Sequence, residues 1–111
     1  MAGTLREYTV LVPLFDNAGV AFAADLLAAL RLELIETFGG CTRQDGLVGA
    51  WIDDGVLYED INASFTVATG RPDGRALIEA FARRWGKRLG QIAMYVRLPG
   101  GKAIIIAMDD S

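Results

Sequence analysis

Histidine is absent from the 111-residue sequence, and cysteine occurs only once, at Cys41. The absence of histidine excludes nucleophilic catalysis that depends on imidazole, and it excludes metal sites built on histidine ligands. One cysteine forms no internal disulfide and no paired thiols for zinc. Cys41 is either a nucleophile that needs an activator other than imidazole or, as we expect, a small buried apolar residue. We therefore expect no metal and no cofactor.

Positive charge is also scarce, because eleven basic residues stand against fourteen acidic ones and the formal net charge is −3. Duplex nucleic acids require a concentrated basic surface, so this balance argues against them as partners. One basic cluster surrounds Trp85 and consists of Arg83, Arg84, Lys87 and Arg88. Such a cluster is typical of the solvated end of a helix, where cations meet the negative end of the helix dipole. A nucleic-acid interface at this cluster is the alternative.

Long apolar runs are missing as well. None approaches the roughly 20 residues that span a bilayer. The residues that follow Met1 lack the basic and then apolar pattern of a signal peptide. From these features we expect no membrane partner and a cytoplasmic location.

The hydrophobic pattern alternates between the periods of strands and helices, which predicts an α+β domain spanning residues 1–111. We predict strands over residues 7–15, 42–52, 56–69, 91–98 and 102–108, and helices over residues 20–38 and 73–88. Two β-α-β units joined by a hairpin form a ferredoxin-like sandwich, an antiparallel sheet with both helices on one face. The extra C-terminal strand is expected to extend that sheet at its edge.

An acidic residue in the third predicted strand is the first candidate for a functional site. Strict alternation places Glu59 with Leu57 and Ile61 on the face that we predict to point inward. A carboxylate there would line a cleft at the end of the sheet, as a ligand-binding or acid–base group, with Arg43 as a candidate partner. The alternatives are an exposed position at the start of the strand and a structural ion pair.

Aromatic residues near the predicted turn are further candidates. Trp51, Tyr58 and Tyr95 would form an aromatic wall for a ligand, or they would serve in core or interface packing. A three-residue turn would place Trp51 on the face of Glu59. A two-residue turn at Asp54-Gly55 would instead pair Trp51 with Tyr58.

The motif Phe-Gly-Gly-x-Thr, followed by Gly-x-Trp and an acid, carries one resemblance. Its residues are Phe38, Gly39, Gly40, Thr42, Gly49, Trp51 and Glu59. Over residues 8–96 the sequence resembles a loosely defined group of small bacterial and phage proteins to which no activity is assigned. The resemblance implies the ferredoxin-like fold and no particular activity.

The loop after the first predicted strand carries a second resemblance. The stretch Leu14–Val20 is similar to the first loop of ACT domains, which are regulatory modules that bind amino acids between paired copies. The resemblance implies that Asp16, Asn17 and Gly19 are ligand-binding residues. The predicted helix is longer than that of ACT domains, and the Gly-Gly turn after it departs from their pattern.

The last predicted strand, residues 102–108, contains a run that is apolar on both faces, Ala103–Met108. An apolar edge invites pairing, so we expect a homodimer or a larger homo-oligomer formed through this strand or through the open face of the sheet. Together with the missing histidine, this favours a binding or regulatory module without catalysis, which takes a small ligand or a protein partner. The alternative is a small enzyme that uses Glu59 as a general acid or base, assisted by Arg43 or Tyr58.

Overall fold

The computed structural model describes residues 3–108 and contains the predicted elements in the predicted order. They are β1 (Arg6–Pro13), α1 (Ala24–Phe38), β2 (Thr42–Asp53), β3 (Val56–Thr69), α2 (Gly74–Arg88), β4 (Ala93–Leu98) and β5 (Lys102–Ala107). The strands form one antiparallel sheet in the order β2-β3-β1-β4-β5. The ferredoxin-like α+β fold with an added C-terminal strand is thereby confirmed. The predicted domain also includes residues 1–2 and 109–111, which lie outside the described residues.

The hydrophobic core lies between one face of the sheet and the two helices. Every second residue of the central strands is apolar, so their side chains point to the same face. The fully buried residues of this core include Val10, Val12, Phe65, Val67 and Val96 from the strands and Leu30, Leu34 and Ile78 from the helices. Both helices therefore cover a single face, and we call the other face of the sheet the open face. Within residues 3–108, neither helix has the length and apolar character needed to cross a membrane.

The start of α1 differs from the prediction. The helix begins at Ala24 and not at Val20, because residues 14–22 close a separate loop. Asp16 Oδ1 accepts hydrogen bonds from the backbone N–H groups of Ala18 and Val20 at 2.9 and 2.8 Å. The Asp16 side chain is thus used within this loop, and α1 begins without a side-chain cap.

The hairpin of β2 and β3 extends beyond the helices. These strands have 12 and 14 residues, whereas β4 and β5 have six each, and the molecule measures 49 × 31 × 30 Å. No residue between positions 47 and 61 is buried. We call residues 47–61 the hairpin tip. Sheet pairing continues through the tip without a helix beneath it.

The turn of this hairpin has two residues, Asp54 and Gly55, with φ values of 52° and 77°. Two positive φ values are typical of a type I′ turn, whose twist matches that of the strands. The turn sets the register in which Trp51 lies opposite Tyr58 and Ala50 lies opposite Glu59. Of the two alternatives that the sequence leaves open, the two-residue turn is the one observed.

Gly86 allows α2 to pack closely on the sheet. A Cβ at this position would lie 2.8 Å from Met94 Cγ and 2.7 Å from Met108 Sδ. We expect Gly86→Ala to lower the free energy of unfolding by about 1–2 kcal/mol, because overpacking outweighs the better helix propensity of alanine. Urea denaturation measures the loss. In a Met108→Ala background the same substitution should cost less, and an equal cost in both backgrounds would contradict the packing explanation.

Candidate functional site

Glu59 occupies the predicted face of β3 but is exposed. It shares that face with Phe65, which is fully buried, and with Leu57 and Ile61, which are 60% and 42% exposed. The face is the one that the helices cover further along the strand. The helices do not reach the hairpin tip, so Glu59 lies on the predicted face, and of the alternatives that the sequence leaves open the exposed position is the one observed.

The surroundings of Glu59 are apolar. The positions next to it on the same face of the tip are Val48, Ala50, Ile52, Leu57 and Ile61. Val48 and Ile52 are 73% and 71% exposed, so they form part of an uncovered apolar surface. A surface of this kind is typical of an interaction site, and a partner that covers it would remove the Glu59 carboxylate from water.

Arg43 has a different partner from the one predicted. Its Nε donates to Asp45 Oδ1 at 2.6 Å and its Nη2 donates to Asp45 Oδ2 at 3.2 Å. Its guanidinium also lies 5.4 Å from the centre of the Phe65 ring. Arg43 is paired with Phe65 in the sheet register, which places it six strand residues, or about 20 Å, from Glu59. Direct assistance to Glu59 by Arg43 of the same chain is therefore wrong.

Two of the three candidate aromatic residues meet on the open face of the hairpin tip. The rings of Trp51 and Tyr58 are stacked, with their centres 4.7 Å apart and an angle of 21° between their planes. Trp51 is 49% exposed and Tyr58 is 44% exposed. Tyr95 lies opposite Leu11 in the centre of the sheet and is not part of this stack.

A polar group beside the stacked rings was missed by the sequence analysis. Asn62, which is 7% exposed, donates from Nδ2 to Asp60 Oδ1 at 2.9 Å. Gly49 lies opposite Asp60, and a Cβ on Gly49 would stand 2.7 Å from that same Oδ1 atom. The signal was available, because alternation places Asp60 and Asn62 on the face of Tyr58. The glycine of the Gly-x-Trp motif thus leaves room for a fixed carboxylate.

Residues Asp16, Asn17 and Gly19 lie together in the loop before α1. Asp16 accepts the backbone hydrogen bonds described above, and Asn17 Nδ2 donates to the Gly90 carbonyl at 3.4 Å. Gly19 has a φ of 81°, a conformation that favours glycine. The described contacts of these residues are structural, and their ligand-binding role stays a prediction.

A shallow depression of about 280 Å³ lies at the other end of β3, beside the end of α1. It is lined by Glu7, Phe38, Gly39, Gly40, Cys41, Thr42, Thr66 and Ala68. The first half of the sequence motif therefore surrounds this depression. Gly39, with a φ of 86°, ends α1 in the left-handed conformation and turns the chain into its wall.

Cys41 is a poor candidate for a nucleophile within this depression. Burial raises the pKa of its thiol, and the positive charge of Arg31 opposes that effect only in part. The thiol is therefore protonated at neutral pH, and only the thiolate is reactive. The depression thus offers hydroxyl groups, a glutamate and backbone groups to a ligand.

The four basic residues of the α2 cluster are exposed, and one of them, Arg84, links α2 to α1. Arg84 Nη2 and Trp85 Nε1 both donate to Glu33 Oε2 on α1, at 2.8 and 3.2 Å. Trp85 is only 4% exposed, and the Arg88 guanidinium lies 4.5 Å from the centre of its ring. A nucleic-acid interface that needs Trp85 for stacking is therefore wrong.

Over residues 3–108 no group of three or more potential metal ligands comes together.

Comparison with known proteins gives structural matches only. No family model and no curated protein matches the sequence. A phage SAM lyase in complex with S-methyl-5′-thioadenosine matches at a TM-score of 0.71 and 12% sequence identity. The match covers 100% of this chain and 95% of the lyase. A phage SAM lyase in the apo state matches at a TM-score of 0.71 and 11% sequence identity, and the match covers 100% of this chain and 96% of the lyase. The divalent cation tolerance protein CutA1 from Thermus thermophilus matches at a TM-score of 0.52 and 16% sequence identity. The match covers 97% of this chain and 85% of CutA1.

These matches correct the functional prediction. The sequence favoured a binding or regulatory module without catalysis, whereas the two matches at a TM-score of 0.71 are to an enzyme. These matches contradict the main prediction and agree better with its alternative, a small enzyme. At these identities the likeness itself establishes the fold alone.

Proposed function

We propose that this protein is an enzyme that cleaves S-adenosylmethionine and releases S-methyl-5′-thioadenosine. The observation that carries the proposal is the match over the whole chain, at a TM-score of 0.71, to a phage SAM lyase that holds this nucleoside. Each chain is covered to at least 95%, so the matched residues include those of the hairpin and those that line the depression as well as the common core. The absence of histidine is compatible with this reaction because the leaving group is activated by its own positive charge.

The reaction requires one bond to break, between the sulfonium sulfur and Cγ of the methionine part. Sulfur keeps the electron pair and leaves as a neutral thioether. In one route, an oxygen of the substrate's own carboxylate attacks Cγ and forms homoserine lactone. In the other, a base takes a proton from Cβ and forms vinylglycine. The first route is favoured, because the Cβ proton is not next to a carbonyl group and the ring closure is intramolecular.

Glu59 is the residue on which we propose that turnover depends. In the lactone route no proton needs to be transferred, and a carboxylate at this position orients the cationic substrate. In the elimination route Glu59 is the base, which is the role that the alternative prediction from the sequence gives it. The apolar side chains around Glu59 provide a surface from which water is displaced once it is covered.

A second copy of the chain is needed to complete the site. Glu59 and Thr66 are seven residues apart on β3, a distance of about 23 Å, so one chain does not bring Glu59 and the depression together. We propose that copies associate so that the hairpin tip of one lies against the depression of the next. The exposed apolar residues of the tip support this arrangement.

Incubation of the purified protein with S-adenosylmethionine tests the activity directly. Mass spectrometry is expected to show S-methyl-5′-thioadenosine and homoserine lactone in equal amounts. Vinylglycine in place of the lactone would support the proton-abstraction role of Glu59. If S-adenosylmethionine stays intact over a range of protein concentrations that includes the assembled state, the proposal is wrong.

Mixing two inactive variants tests the shared site. Glu59→Gln removes the tip carboxylate, and Thr42→Tyr places a large ring in the depression. In mixed oligomers, sites built from one intact half of each variant should restore about one quarter of the wild-type activity. If Thr42→Tyr alone is fully active, or if mixing after dissociation and reassembly restores nothing, the shared site is excluded.

A further inference from the structure

The open face of the hairpin tip carries a second functional feature that is separate from Glu59. We propose that Trp51, Tyr58 and Asp60 form a binding site for a sulfonium cation, in which the aromatic rings contact the methylated sulfur and Asp60 supplies the counter-charge. The identity of the cation as that of S-adenosylmethionine rests on the proposed function. Because Asp60 and Glu59 lie on opposite faces of β3, the Asp60 and the Glu59 that serve one substrate molecule come from different copies of the chain. The site itself follows from the geometry of the tip.

The aromatic part of this site is already formed. Trp51 and Tyr58 are stacked at 4.7 Å between ring centres, and both are more than two-fifths exposed. Each ring therefore still presents part of its surface to solvent. Such ring faces carry a negative quadrupole that attracts cations, and the indole of tryptophan is the strongest of them.

Asp60 lies next to the rings and is held in place. It is two residues from Tyr58 on the same face of β3, which is a spacing of about 7 Å. The Asn62 amide, more than nine-tenths buried, donates to Asp60 Oδ1 at 2.9 Å. Gly49 leaves the space that this oxygen occupies, since a Cβ there would lie 2.7 Å away. The buried Asn62 amide and the space left by Gly49 thus hold the Asp60 carboxylate in one position, although Asp60 itself is exposed.

The charge of the tip selects for cations. Residues 47–61 contain four carboxylates, on Asp53, Asp54, Glu59 and Asp60, and no lysine or arginine. The nearest basic residue on β2, Arg43, is already paired with Asp45. A site with uncompensated negative charge and aromatic faces repels anions and attracts organic cations. It also distinguishes the charged substrate from the neutral thioether product, which would help product to leave.

The first test uses trimethylsulfonium chloride as the probe and tert-butanol, a neutral molecule of similar shape, as the control ligand. Titration is followed by the NMR signal of the Trp51 indole N–H, assigned with Trp51→Phe. We expect a saturable shift with trimethylsulfonium and none with tert-butanol. The same response to both ligands, or to neither, would overturn the proposal.

Asp60→Asn tests the counter-charge, with Asp25→Asn on the exposed side of α1 as a control that makes the same change in net charge. Asp60→Asn should weaken trimethylsulfonium binding about five-fold, whereas Asp25→Asn should leave it unchanged. It should also raise the Kd for S-adenosylmethionine but not the Kd for S-methyl-5′-thioadenosine. Equal effects of the two substitutions, or equal losses for both nucleosides, would exclude a role for Asp60 in recognising the cation.

The outcomes for this site and for the proposed function are distinguishable. If the probe binds at Trp51 but S-adenosylmethionine is not cleaved, the cation site stands and the lyase activity is wrong. If S-adenosylmethionine is cleaved but the probe does not bind, the activity stands and the sulfonium is recognised elsewhere.

Discussion

Replacement of Glu59 by glutamine is expected to lower kcat/KM for S-adenosylmethionine by about 100-fold. Glutamine keeps the size of the side chain but removes its charge and its ability to accept a proton. Loss of the charge misplaces the cationic substrate, and loss of the proton acceptor prevents proton transfer. No water molecule replaces the carboxylate once the site is covered. Initial rates of S-methyl-5′-thioadenosine release, measured over a range of substrate concentrations, give the change.

Glu36→Gln is the matched control for this prediction. Glu36 is an exposed glutamate on α1, so the substitution makes the same chemical change away from the hairpin tip. We expect it to leave kcat/KM unchanged, and we expect both variants to unfold at the same urea concentration as the wild type. Glu59→Asp, which keeps the charge, should retain part of the activity. If Glu59→Gln is as active as Glu36→Gln, Glu59 has no part in turnover.

Phe65→Ala is expected to cost about 3–5 kcal/mol of unfolding free energy, the range for truncating a fully buried phenylalanine. Phe65 is 0% exposed and lies in β3, between β2 and β1. The substitution removes apolar contacts and leaves a cavity beneath α1. Urea denaturation followed by circular dichroism measures the loss.

Two other truncations provide the comparison. Phe38→Ala should cost less than Phe65→Ala, because Phe38 is only partly buried at the end of α1. Leu57→Ala, on the same strand and face as Phe65, should cost less than about 1 kcal/mol in the single chain, because Leu57 is 60% exposed. A large cost for Leu57→Ala that depends on protein concentration would show that the tip is buried between copies. A cost below about 1 kcal/mol for Phe65→Ala would contradict the observed core.

The fold and the faces of the β3 residues were predictable from the sequence, whereas the face of Trp51 depended on the length of the turn. In β3 the alternation from Leu57 to Val67 follows from backbone geometry alone, since successive side chains point to opposite faces. The turn at Asp54-Gly55 was one of two alternatives, and the conformations available to glycine and aspartate explain the one observed. The alternation also gives the face of Asp60, but its importance was missed because Gly49 and Asn62 act on it from other positions.

What the sequence by itself determined is the order of the elements, the ferredoxin-like arrangement and the faces of the β3 side chains. These depend on interactions between residues close in the chain, which the periods of strands and helices express. Only the tertiary structure decided that the helices end before the hairpin tip, that Glu59 is therefore exposed, and that Arg43 is too distant to pair with it. How much of the sheet the helices cover depends on the relative lengths and positions of elements far apart in the chain. A local sequence pattern does not contain this information.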